Sequence, residues 1–132
     1  MNFDGKSTTD DVLEGIRLDG KHAFITGATG GLGIETARAL ASAGASVTIA
    51  GRSPDKIEAA LSTLRASVPG SSFDGAVFDL ASLSSIRTAS QKFVAAGHKI
   101  DLLINNAGVM MCPKGQTADR FETQFGTNHL GP

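Results

Sequence analysis

Hydrophobic positions along the chain follow two rhythms. Lys21 to Thr26, Ser46 to Ala50 and Ile100 to Ile104 are short, largely apolar runs bounded by polar or glycine-rich turns. A fourth run, Phe73 to Phe78, is interrupted by Asp74-Gly75. Runs of this length read as strands, and Ile100 to Ile104 is apolar enough to be buried on both faces. Between them Leu32, Thr36, Leu40 and Ala43 recur at helical spacing, then Ile57, Leu61, Leu64 and Val68, then Ile86, Ala89, Phe93 and Val94. The alternation of strand and helix predicts an α/β domain.

Turn and cap residues sharpen the boundaries. Gly44 fits the left-handed position that ends a helix, and Pro69-Gly70 and Gly97 end the next two. Ser53-Pro54 opens its helix with a cap followed by a proline at the first helical position. Residues 1–18 read as an arm, with one or two helical turns around Thr9-Asp10-Asp11-Val12-Leu13-Glu14, expected to pack on the sheet. The turn Asp19-Gly20 then begins the main domain, 19–132. Near the other end, Val109 to Gly115 reads as a loop whose Met110, Met111 and Cys112 line a pocket or simply pack. Thr117 to Glu122 reads as a capped helical start.

Composition narrows the class of protein. At 132 residues, 41% hydrophobic and with 16 glycines, the chain can build one core of α/β type. A net charge of −1 gives no argument for nucleic acid or a membrane surface, and no apolar run approaches a bilayer span. The first residues lack a signal-peptide pattern and Cys112 is the single cysteine, so a cytoplasmic location is expected. His22, His98 and His129 have no metal-spaced partners, and no metal site is expected.

The chemistry concentrates after the first strand, in Thr26-Gly27-Ala28-Thr29-Gly30-Gly31-Leu32-Gly33. Glycines there allow a sharp turn that brings amide N–H groups against a pyrophosphate, with a helix N-terminus behind them. Gly27, Gly31 and Gly33 are spaced differently from the G-x-G-x-x-G of many dinucleotide sites. Ile34 and Glu35 stand where a P-loop needs Lys then Ser or Thr, which excludes a P-loop kinase or ATPase. At about 20 residues beyond these glycines an acid would bind the NAD ribose, while an Arg accommodates the 2′-phosphate of NADP. Gly51-Arg52 occupies that place, so NADP(H) is expected over NAD(H), the other reading being a surface Arg capping a loop. Asp79-Leu80 closes the third strand, where Asp79 accepts from an adenine amino group or caps the following helix. Asn105 and Asn106 can brace neighbouring strand ends, while Ala107 and Gly108 leave room for a flat ring.

Taken in order, the glycine run, Asp79-Leu80, Asn105-Asn106-Ala107-Gly108 and Asn128-His129-Leu130-Gly131 resemble the short-chain dehydrogenase/reductase family over residues 19–132. The arm, Arg52 and the Asn-His-Leu-Gly run look most like its retinol-dehydrogenase-like and WW-domain-oxidoreductase-like branch. The resemblance implies a Rossmann-type, doubly wound parallel sheet with strands in the order 3-2-1-4, helices on both faces and NADP(H) across the carboxyl edge. It further implies hydride transfer between nicotinamide and a small lipophilic alcohol or carbonyl substrate. The family's catalytic tetrad is Asn, Ser, Tyr and Lys, and Asn128 matches the Asn.

The remaining three do not match, and the chain contains no Tyr at all. The sequence is therefore expected to be the cofactor-binding, N-terminal part of a longer enzyme, inactive alone. Its partner is then a complementing C-terminal half or a second copy covering the apolar fourth strand, which would otherwise be an open edge. A non-catalytic nucleotide sensor or interaction module of the same fold is the alternative. An S-adenosylmethionine-binding fold is disfavoured by Asn105-Asn106-Ala107-Gly108.

Overall fold

The computed structural model describes residues 3–132; Met1 and Asn2, the first two residues of the predicted arm, lie outside it. In chain order the elements are α1 (Thr9–Leu13), β1 (His22–Thr26), α2 (Gly31–Ser42), β2 (Ser46–Gly51), α3 (Pro54–Ser67), β3 (Phe73–Val77), α4 (Leu83–Ala95), β4 (Leu102–Ile104) and α5 (Thr123–Phe125). A π-helical turn, Gly126–Leu130, continues α5. The four strands form one parallel sheet in the order β3-β2-β1-β4, with Ile25 of β1 opposite Ile49 of β2 and Ile104 of β4.

One face of the sheet carries the core. Ala23, Ile25, Val47 and Ile49 pack against Ala37 and Ala41 of α2 and Ile57, Leu61 and Leu64 of α3. The alanines let α2 lie close to the strands, and Ala is also the strongest helix former. Asp74-Gly75 does not interrupt β3: the two residues pair with Thr48 and Ile49. A Cβ on Gly75 would stand 2.6 Å from Cγ2 of Ile57, so glycine there admits α3 rather than breaking the strand.

The opposite face is held by aromatic packing. Phe24 lies 6.2 Å from Phe78 and meets the edge of Phe93 of α4 at 5.3 Å. Leu103, beside Phe24 on the same face, remains 58% exposed. The expectation that β4 is buried on both faces therefore fails: Leu102 and Ile104 pack on the core, and the described residues leave Leu103 largely uncovered. β4 is an edge strand, as expected.

Two further expectations are corrected. The arm helix α1 packs on α2 and not on the sheet, whose near face α2 and α3 already fill. Thr8 and Asp11 form its capping box, and it buries no residue of its own. Polar contacts hold it: the Thr9 hydroxyl donates to Glu35, and Arg38 reaches Asp10 at 2.9 Å and Glu35 at 2.7 Å. Thr117 to Glu122 is not a helical start but a reversal, with Arg120 at φ +67° and a bridge between Gln116 and Glu122. Glu122 is the cap of α5, its carboxylate accepting from the N–H groups of Gln124 and Phe125 at 2.9 and 2.8 Å. Among the described residues no helix is long and apolar enough to cross a membrane.

Candidate functional site

The carboxyl ends of β1, β2 and β4 converge on one point, and small residues make that convergence fit. Gly27 has φ +68°, and a Cβ there would stand 2.7 Å from the Cα of Ala107. A Cβ on Gly33 would meet Nδ2 of Asn106 and the carbonyl of Gly27, each at 2.6 Å. Asn106 latches β4 to β1, donating from Nδ2 to the carbonyls of Thr26 (3.0 Å) and Gly27 (3.2 Å). The Ala107 N–H returns the contact to Oγ1 of Thr26 at 3.1 Å, and the Gly27 N–H donates to Ala50 at 2.9 Å. Of the two asparagines expected to brace the strand ends, Asn106 does so, whereas the Asn105 side chain makes no hydrogen bond among the described residues.

Above this point the chain opens. Gly30 is the N-cap of α2 and provides no side-chain cap for the first-turn N–H groups. Nothing lies within 4 Å of where a Cβ would sit on Gly30 or Gly31. Beside it a cavity of about 490 Å³ runs from Gly27 and Thr29 across the strand ends. Thr26, Gly27 and Thr29 line it from β1 and its turn, and Arg52 from the end of β2. Asp79 and Leu80 line it after β3, and Asn106, Ala107 and Gly108 after β4. Gly30 borders a shallower groove behind the glycine turn. Gly31, Leu32 and Gly33 do not line the cavity: the Leu32 side chain is 82% exposed and Gly33 is buried between α2 and the strand ends.

Asp79 does not cap α4. Ser82 does, accepting from the Ser85 N–H at 3.3 Å, while Asp79 accepts from the Ala81 N–H at 2.9 Å within its own turn. Asn128, on the π-helical turn, grips the loop after β4 from both ends of its amide. Its Oδ1 accepts from the Val109 N–H at 2.8 Å and its Nδ2 donates to the Val109 carbonyl at 2.7 Å. Val109 in turn lines the cavity. Met110 and Met111 neither line it nor pack, being 80% and 88% exposed, with Met111 at φ +54°.

The sequence reading missed Ser53, Lys56, Phe78, Thr123 and Thr127 in the cavity wall. The signal for Ser53 and Lys56 was their place within one helical turn of Arg52. The electrostatics of the wall are lopsided. Arg52 and Lys56 enter no ion pair among the described residues. Asp79 is the one acidic residue lining the cavity among the described residues.

A parallel sheet with a glycine turn and open helix N-terminus at its carboxyl edge defines a Rossmann-type domain. Residues 21–132 match the family model "short chain dehydrogenase", and the chain belongs to that family of oxidoreductases, whose fold binds a nicotinamide cofactor. It is 49% identical over 116 residues to retinol dehydrogenase 12 of Mus musculus, covering 88% of this chain and 37% of that protein. An uncharacterized protein from Mycobacterium paratuberculosis superposes with a TM-score of 0.75 at 42% identity, covering 88% of this chain and 40% of the other. A gluconate 5-dehydrogenase from Burkholderia cenocepacia, solved with NADP and tartrate, gives a TM-score of 0.71 at 36% identity, over 91% of this chain and 47% of that one. The chain thus spans less than half the length of these relatives.

Proposed function

We propose that this chain is the cofactor-binding part of an NADP(H)-dependent oxidoreductase acting on a small lipophilic alcohol or carbonyl compound. The observation that carries the reading is the cavity itself. It runs from the glycine turn across Ala107-Gly108 and holds Arg52, without an acidic partner among the described residues, at the end of β2. The donor set suits the group: uncapped first-turn N–H groups for a diphosphate, a guanidinium for a 2′-phosphate, and small residues beneath a flat ring. When bound, the nicotinamide supplies hydride transfer to or from a substrate carbon. Arg52 then favours the phosphorylated ribose, because its planar fork matches phosphate oxygens. Asn106 keeps the two strand ends at their spacing, and Asn128 fixes Val109 beside the reacting region.

With no Tyr in its sequence the chain has no phenol to act as proton donor, so it binds without turning over. Calorimetric titration with NADPH and NADH tests the proposal. NADPH is expected to bind more tightly, and Arg52→Ala to lose about tenfold in NADPH affinity, the scale of one charge-assisted contact, with NADH unaffected. Equal affinities for the two cofactors, or an Arg52→Ala variant that binds NADPH as well as the parent chain, would overturn it.

A further inference from the structure

We infer that Asp119 is a positioning residue for cofactor binding, holding the turn after β3 against the helical segment that carries Asn128. The inference rests on the cavity being a dinucleotide site and extends that reading to a residue outside the cavity wall. Asp79, Leu80 and Ala81 line the cavity, yet little in their immediate surroundings fixes them. β3, which leads into this turn, is the outermost strand of the sheet, and α4, which leads out of it, buries no residue. Within the turn the hydrogen bonds are local. The N–H groups of Ala81 and Ser82 donate to the Asp79 carboxylate and carbonyl, and the Asp79 N–H donates to the Ser85 hydroxyl.

Among the described residues, the hydrogen bonds that tie this turn and the start of α4 to a distant part of the chain come from two neighbours in the Thr117 to Glu122 reversal. The Ala118 N–H donates to the Ala81 carbonyl at 2.9 Å, and Oδ2 of Asp119 accepts from the Leu83 N–H at 2.8 Å. Leu83 is the first residue of α4, so the Asp119 carboxylate meets an otherwise unpaired donor at a helix start, where negative charge is favoured. The reversal is anchored on its other side as well. Thr117 is buried, and a Cβ on Gly126 would stand 2.3 Å from its Cγ2, so glycine lets the π-helical turn close on it. That turn carries Thr127 of the cavity wall and Asn128, whose amide grips Val109. A Cβ on Gly131, directly after it, would meet the Leu80 carbonyl at 2.5 Å. The walls after β3 and after β4 are thus joined through one segment, and Asp119 supplies its side-chain hydrogen bond to the β3 side. A wall held in place before binding spares the cofactor the cost of ordering it.

The test compares the parent chain with Asp119→Ala, Asp119→Asn and Asp11→Ala, titrated with NADPH, NADH and ADP. Circular dichroism checks that the variants fold, and Asp119→Leu, of similar shape without an acceptor, replaces an alanine variant that does not. Asp119→Ala is expected to weaken all three ligands by a common factor of about three- to tenfold, the scale of one hydrogen bond. The common factor follows because the turn after β3 faces the adenosine portion that the three share, so the NADPH-to-NADH ratio stays that of the parent chain. Asp119→Asn keeps an acceptor oxygen and is expected to recover most of the loss. Asp11→Ala, which removes the capping box of α1, is expected to lower the urea midpoint while leaving the three affinities unchanged. In the free chain, the amides of Ala81 and Ser82, whose own acceptors are untouched, are expected to exchange faster in Asp119→Ala. The inference is overturned, with the cofactor site left standing, if Asp119→Ala binds like the parent chain or if Asp119→Asn fails to restore binding. A loss confined to NADPH overturns it too. Should the parent chain bind neither dinucleotide, the reading of the cavity falls, and this inference with it.

Discussion

Gly27, Gly30 and Gly33 lie within one turn of chain but answer to different physical demands. Gly33 is squeezed by Nδ2 of Asn106 and by the Gly27 carbonyl, the second of which is backbone and cannot swing away. Gly30 faces open space with an extended backbone at φ 175°. Gly33→Ala is therefore expected to destabilise the fold by about 1–3 kcal/mol, the usual cost of overpacking. Gly30→Ala should fall within about 0.5 kcal/mol of the parent chain. Urea denaturation of both variants checks the contrast, and a Gly33→Ala chain as stable as the parent would contradict it. The glycine spacing was readable from the sequence, but the job of Gly33 was not. Its neighbour Asn106 sits on a different strand, and no local pattern announces a contact made through topology. Lys56 escaped for another reason: its place four residues after Arg52 was visible, but an exposed helical lysine looks the same whether or not it faces a cavity.

Among the elements, α1 shows how a segment without a buried face can still dock. Its contacts with α2 run through Arg38 and Glu35. The Arg38 guanidinium, and then the Thr9 hydroxyl, hold the Glu35 carboxyl down at about 2, well under the ordinary carboxylate range. Asp11 is lowered too, by the Thr8 backbone N–H and then the Thr8 hydroxyl. Both groups have folded values below their unfolded ones, so their contribution is complete above the unfolded carboxylate range and is lost as pH falls through the folded values. The α1 amide resonances are expected to move toward random-coil shifts between about pH 4.5 and about 2, ahead of those of β1 and β2. Glu35→Gln should reproduce part of that release at neutral pH. An arm that stays docked until the sheet itself unfolds would refute the latch. The helical turn and its acidic start were legible from capping chemistry. Its docking partner was not, because an arm without apolar periodicity gives no sign of which surface it meets. Thr117 to Glu122 misled similarly: the cap pattern belonged to a reversal, and the true cap was Glu122.

For the whole molecule, strand order decides what is left exposed. The order β3-β2-β1-β4 followed from the family resemblance, since strand patterns alone do not reveal which strands become neighbours. That order puts β4 at an edge with Leu103 uncovered, and the chain covers only 37% to 47% of the relatives described above. An apolar edge strand pairs readily with another chain. Sedimentation is expected to show concentration-dependent association of the parent chain, reduced in Leu103→Lys. A parent chain that stays monomeric at high concentration would contradict this. The site was legible where its residues sit in contiguous motifs, and illegible where the wall is built by Thr123 and Thr127 arriving from a distant element. All the functional claims depend on a dinucleotide lying across the carboxyl edge of the sheet. Hydrogen exchange of the backbone amides, with and without saturating NADPH, tests that most directly. Slower exchange is expected at residues 28–33, at 52–56 and at 106–109, with α1 and the second half of α4 unchanged. Protection confined to other elements, or none anywhere, would contradict it.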